Sequence, residues 1–157
     1  MAEVAPLTPV EEAELHMAIE LGSLTIAWTQ YEMMLFGIFW RLLKTSLNRA
    51  GIVWFSLVSF DLRLRLMTDL VKADRRSNEQ ELLDAIKEAK ALSLRRNTFV
   101  HWTWVVKEGN HAIFDLRKPP SADTRARLVS DDEVRRLFRD VTKHRLKLDD
   151  VLTAMKR

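Results

Sequence analysis

The sequence predicts a mainly α-helical domain: a helical bundle of about four helices with a short β-hairpin before the last helix. Three observations carry this. Only four Gly and four Pro occur in 157 residues, which favours helices over a turn-rich sandwich. Apolar residues recur at spacings of three and four through most of the chain. One stretch, residues 99–106, breaks that period with a run of aromatic and β-branched side chains.

The first helix starts at Thr8-Pro9-Val10-Glu11, with Thr8 as N-cap, Pro9 at the first helical position and Glu11 reaching back. It runs to about residue 44. Leu24, Trp28, Tyr31, Leu35, Ile38 and Leu42 form one buried stripe. Met33, Met34, Phe36, Phe39, Trp40 and Leu43 cover its other sides, so it must be buried on more than one face, the second being a candidate subunit interface. Gly22 and Gly37 mark kinks or close approaches. Residues 45–58 read as a connection containing the apolar piece Ile52-Val53-Trp54-Phe55. A second helix spans residues 59 to about 73; its Leu62-Arg63-Leu64-Arg65-Leu66 alternates like a strand, but its residues are good helix formers. A turn at Arg75-Arg76-Ser77-Asn78 opens a third helix that turns Leu82, Ile86, Ala89 and Ser93 inward.

The hairpin pairs residues 99–106 with Ala112-Ile113-Phe114 around Lys107-Glu108-Gly109-Asn110. Lys118-Pro119-Pro120-Ser121-Ala122-Asp123 reads as a loop. The last helix opens on a capping box, Ser130 with Glu133. Its apolar stripe comprises Val134, Leu137 or Phe138, Val141, Leu148, Leu152 and Met155. The length fits one domain over residues 1–157, with 1–7 outside the folded part.

The absence of Cys excludes disulfides, thiolate metal sites and cysteine nucleophiles. The four His lie far apart in sequence, so no metal ligand set or other cofactor is expected. The net charge of +3 hides an asymmetry. Residues 1–40 carry six Glu and no Lys or Arg, whereas residues 91–157 carry 15 basic against 9 acidic side chains, a place for a polyanion. The N-terminus lacks the basic region of a secretory signal, and the most apolar stretch, residues 21–40, is interrupted by Gln30 and Glu32. A cytoplasmic protein with no membrane partner is therefore expected.

One segment has the residue types for acid–base chemistry on a phosphate: Leu92-Ser93-Leu94-Arg95-Arg96-Asn97-Thr98-Phe99-Val100-His101. Histidine titrates nearest neutrality of all side chains, and arginine offers a permanent fork of donors to phosphate. Asn97 and His101 share a helix face, while Arg96 lies about 140° from His101 on a straight helix. Joining the two would take a distorted helix end or two subunits. The same Arg-to-His spacing recurs in Arg139-Asp140-Val141-Thr142-Lys143-His144. That copy is expected on a charged, exposed face, so the first is preferred.

Arg96, Asn97 and His101 resemble the signature of the HEPN superfamily of α-helical nucleases: Arg, a polar residue, three further positions, then His. Trp28 and Glu32 on the first helix and the Leu-rich approach to Arg96 are similar to the family's surroundings. The resemblance implies a metal-independent endoribonuclease leaving a 2′,3′-cyclic phosphate. Arg96, Asn97 and His101 would be catalytic, and Arg95 would bind substrate. It further implies a homodimer acting on RNA, often as a toxin or defence effector with a cognate antitoxin. In one family variant a Tyr two residues after the His is modified by the partner; here that position is Thr103.

Other readings of the same residues stand beside this one. The Arg-Asn pair can cap a helix end and the His can be a core residue, as in a non-catalytic helical interaction module. Glu32, inside an apolar stretch, needs a partner such as an Arg, either to orient Arg96 or His101 or as a structural ion pair. Arg135, Arg139, Lys143 and Lys147 form either a solvated face or a phosphate track, and Trp102 and Trp104 are core or interface before they are a stacking platform.

Overall fold

A capping box fixes the start of the first helix. In the computed structural model, which describes residues 6–74, 78–107, 110–114 and 127–155, the Thr8 hydroxyl accepts from the Glu11 amide at 3.3 Å. The Glu11 carboxylate accepts from the Thr8 amide at 2.7 Å, which holds its pKa below the usual carboxylate range. Helix α1 runs Pro9–Leu43 and ends where Lys44 takes a left-handed conformation, φ 50°. The predicted stripe of Leu24, Trp28, Tyr31, Leu35, Ile38 and Leu42 is buried throughout.

Residues 45–58 are more than a connection: they contain α2, Leu47–Ser56, capped by the Ser46 hydroxyl accepting from the Arg49 amide. Only Ala50 and Trp54 of this helix are buried, too few to show a period in the sequence. Trp54 is nevertheless a pillar of the core, with its ring 5.2 Å from Phe39 and 5.9 Å from Phe36. Helix α3, Phe60–Asp74, confirms helix over strand for the alternating Leu-Arg segment and buries Leu64, Met67 and Val71. Helix α4, Glu79–His101, turns Leu82, Ile86, Ala89 and Ser93 inward as expected. It extends further than predicted, so Phe99, Val100 and His101 are helical rather than the start of a strand.

Strand β1, Thr103–Lys107, pairs antiparallel with β2, Asn110–Phe114, in a register that matches Lys107 to Asn110. Glu108 and Gly109 lie outside the described residues, as do the turn residues 75–77, the predicted loop 118–123 and residues 1–5. Pro6 and Leu7 lead, exposed, into Thr8. A third strand, β3, Arg127–Val129, joins the other edge of β2. Three residues are too short to display a strand period, so the sequence did not announce it.

Helix α5, Asp131–Ala154, begins after Ser130 but without the predicted side-chain capping box. The Glu133 amide bonds the Ser130 carbonyl at 3.0 Å, and the Glu133 carboxylate is drawn away to Arg127 at 2.7 Å. The architecture is thus mainly α with a short hairpin before the last helix; five helices, not about four, and three strands occur among the described residues. Helix α1 is the central element, with α5 along one flank and α2 and α3 against others, while α4 bridges α3 and α5. Among the described residues no helix is long and apolar enough to cross a membrane.

Two glycines of α1 differ in their surroundings. A Cβ at Gly37 would meet Leu152 Cδ2 at 3.0 Å, which is the close approach that lets α5 lie against α1. A Cβ at Gly22 would meet nothing within 4 Å. Gly22→Ala is therefore expected to raise stability by about 0.5–1 kcal/mol through helix propensity and chain entropy, read as a higher thermal midpoint.

Candidate functional site

The last turns of α4 place Arg96, Asn97 and His101 where the helix leaves the core for β1. Arg96 Nη1 donates to Asn97 Oδ1 at 3.3 Å and lies 3.4 Å from His101 Nε2. The sequence geometry had required a distorted helix end or a second subunit to join Arg96 and His101. Within one chain the helix remains α-helical to His101, and the long arginine side chain spans the angular gap. Arginine has no acceptor, so His101 Nε2 is the acceptor in this contact. The neutral ring then carries its proton on Nδ1 and presents the Nε2 lone pair toward the guanidinium. His101 is exposed; Arg96 and Asn97 are half-buried.

Arg96 is set in place from below by α1. Its guanidinium carbon lies 5.7 Å from the centre of the Trp28 ring, a cation–π distance. Burial lowers the Arg96 pKa and the Glu32 charge acts to raise it. Arg96 Nε is buried with no hydrogen-bond partner. The guanidinium is thus only partly satisfied, with no carboxylate in direct contact among the described residues.

Glu32 has the partner its setting demanded, and it is neither Arg96 nor His101. Its Oε1 accepts from Trp28 Nε1 at 2.7 Å, and its Oε2 lies 3.5 Å from Arg63 Nη1. Arg63 also donates from Nε to the Leu57 carbonyl at 3.2 Å and lies over the Trp54 ring at 5.2 Å. The ion pair is structural, but it locks Trp28, on which Arg96 rests. Arg63 was missed as a site residue. The signal for it was a lone Glu within an apolar helix together with an Arg inside a Leu-rich one.

Arg95, the predicted substrate-binding residue, points to another side of α4. It is exposed and pairs with Asp140 of α5 at 2.7 Å. The second Arg-to-His copy is only partly on an exposed face: Arg139 and Asp140 are exposed as expected, but His144 is 1% exposed. Its Nδ1 lies 2.8 Å from the buried Tyr31 hydroxyl and its Nε2 lies 3.1 Å from Glu88. Its charged neighbours in sequence had suggested solvent, yet it occupies a core position between Val141 and Leu148. Asp140 of that copy is committed to Arg95.

Of the basic stripe on α5, Arg135 pairs with Glu20 at 2.6 Å and Lys147 with Glu88 at 3.3 Å. Arg139 and Lys143 are exposed. Trp102 and Trp104 pack at the edge of the core, and Trp104 Nε1 donates to the Phe99 carbonyl at 2.7 Å. Among the described residues no group of three or more His, Asp or Glu could hold a metal ion. No protein-family model, no curated protein and no solved structure matches the chain.

Proposed function

We propose that the chain is a metal-independent endoribonuclease of the HEPN kind, cytoplasmic and acting as a homodimer in a toxin or defence role with a cognate antitoxin. The observation that carries this reading is the contact of the Arg96 guanidinium with the exposed His101 imidazole. As the Arg96 guanidinium turns from His101 Nε2 to the phosphate, the freed Nε2 lone pair accepts the proton of a ribose 2′-OH, and the 2′-oxygen attacks the adjacent phosphorus. The bond to the 5′-oxygen breaks, that oxygen takes a proton from water, and the products end in a 2′,3′-cyclic phosphate and a 5′-OH. Arg96 neutralises the charge gathering on the phosphate oxygens, where preorganised donors count most. Asn97 holds the guanidinium in line through its side-chain oxygen. The alternative, a non-catalytic interaction module, expects Arg96 and His101 buried and far apart; their contact and the exposure of His101 favour the nuclease.

The test is incubation of single-stranded and structured RNAs with the purified chain in excess EDTA, followed by end-group analysis. Cleavage leaving cyclic phosphate ends is the expected result. Intact RNA throughout would overturn the nuclease reading.

The homodimer rests on α1. Leu15, Ile19, Ile26 and Met33 are 50%, 57%, 64% and 54% exposed. With Gly22 and Thr29 between them they follow alternating spacings of four and three, the seam of a two-stranded coiled coil. No charged side chain interrupts this seam, so it meets its own copy across a two-fold axis without repulsion. The four side chains leave on the order of 400 Å² of apolar surface in water, more than scattered single residues account for. Ile26→Glu is expected to convert a sedimenting dimer to a monomer with unchanged helix content. A wild-type chain that sediments as a monomer at tens of micromolar concentration removes the homodimer from the proposal.

A further inference from the structure

The side of α4 that carries Arg95 borders a second basic feature. A cavity of about 370 Å³ is lined by Arg95, Thr98, Phe99, Arg127, Glu133 and Arg136, drawn from α4, β3 and α5. Among the described lining residues, three guanidinium groups face a single carboxylate, that of Glu133. Among the described residues each is positioned by a hydrogen bond: Arg95 Nη1 to Asp140 at 2.7 Å, Arg127 Nη1 to Glu133 at 2.7 Å, and Arg136 Nε to the Asp132 carbonyl at 3.2 Å. A guanidinium has five donors, so a single such bond orients a fork without exhausting its donors. Both carboxylate pairs are solvent-exposed, with side chains 31–49% accessible, so neither is a strong competitor for an incoming anion. The floor is apolar: Phe99 is buried, and the Arg127 guanidinium carbon lies 5.8 Å from its ring centre.

This cavity is connected to the candidate catalytic pair along one helix row. His101, Thr98 and Arg95 follow one another at intervals of three on α4, so they are surface neighbours. His101 stands at one end of the row and the arginine cavity opens at the other.

We infer that the Arg95–Arg127–Arg136 cavity is a backbone-phosphate subsite for single-stranded RNA, holding a phosphate away from the linkage that is cut. Its ligand is named from the ribonuclease reading, but its geometry is independent of catalysis. Recognition is of phosphate rather than base: guanidinium forks fix the register of a strand without reading its sequence.

The test measures binding of a 2′-O-methyl single-stranded RNA, which has no 2′-OH to cleave, across about 50–200 mM salt. Arg136→Gln is the main variant because Arg136 has no carboxylate partner among the described residues whose loss would disturb the fold. Its affinity is expected to fall about 3- to 10-fold at low salt, with the salt slope smaller by about one. Glu133→Gln removes a lining carboxylate and is expected to raise affinity about 2-fold or more, a gain that a merely structural role does not produce. Arg49→Gln on α2 is the control and should leave binding unchanged. Wild-type affinity and slope in Arg136→Gln, or no binding by the wild type, overturns the subsite. Cleavage of unmodified RNA is followed in parallel. Cleavage with Arg136-independent binding sinks the subsite alone; Arg136-dependent binding without cleavage upholds the subsite and sinks the nuclease.

Discussion

His101→Ala is expected to lower the rate of RNA cleavage by about 10²–10⁴-fold, the span ordinarily supplied by a general base. The fold should be nearly indifferent, because His101 is exposed at the last position of α4 and exposed substitutions usually stay within about 0.5 kcal/mol. Arg96→Ala is expected to cost about 10²–10³-fold through loss of charge stabilisation at the phosphate. Arg96 also rests on Trp28 and is half-buried, so its thermal midpoint must be measured beside its activity. Arg96→Lys separates the two roles: it keeps a cation over the ring but cannot offer one fork to Asn97 and a phosphate together. The double variant should be little worse than the weaker single one, since both residues serve one step. Equal cleavage by wild type, His101→Ala and Arg96→Ala would sink the catalytic assignment.

His144→Ala is expected to leave the chemistry alone and damage the fold, by about 3 kcal/mol in urea or thermal unfolding. The ring is buried, so its loss opens a cavity, and the fully buried Tyr31 hydroxyl loses its partner. Tyr31→Phe removes the hydroxyl without the cavity and should cost only about 1 kcal/mol. The groups facing His144 are Tyr31 of α1, Glu88 of α4 and Lys147 of its own helix. Burial lowers the His144 pKa most, Glu88 pulls it back up, and Lys147 pushes it down. The folded chain therefore binds fewer protons here than the unfolded chain just below the ordinary histidine value of 6.5. Stability from this site is complete above that pH and is lost as the pH falls through the depressed folded value. His144→Asn should flatten that acid slope. An unchanged slope, or an unchanged midpoint in His144→Ala, would remove His144 from the core.

Legibility followed the range of the interactions. The Thr8–Glu11 cap and the inward face of α4 are written within a few residues, so periodicity and cap chemistry reveal them. Helix α2 escaped because two buried side chains make no pattern, and β3 because three residues show no alternation. His144 escaped because Tyr31, 113 residues away, makes it a core residue while its sequence neighbours are charged. Arg63 pairs with Glu32 across 31 residues, so the need for a cation was legible and its identity was not. For Arg96 and His101, the 140° separation treats side chains as short spokes on a wheel, and a flexible arginine defeats that approximation. The residue types of the candidate site were readable; their meeting within one chain was not.

The polar ties between α1 and α5 have a consequence for how the chain reaches its native state. Arg135 to Glu20, Arg145 to Gln30 and His144 to Tyr31 all join the first helix to the last. Two of these ties span 115 residues, so closing them requires most of the chain to be present. On the ribosome, the buried stripe of α1 stays bare along its α5 flank until the final helix has emerged. Synthesis thus produces a long interval in which the apolar helix is formed or forming without its main cover, the period when aggregation or capture by a chaperone competes with folding.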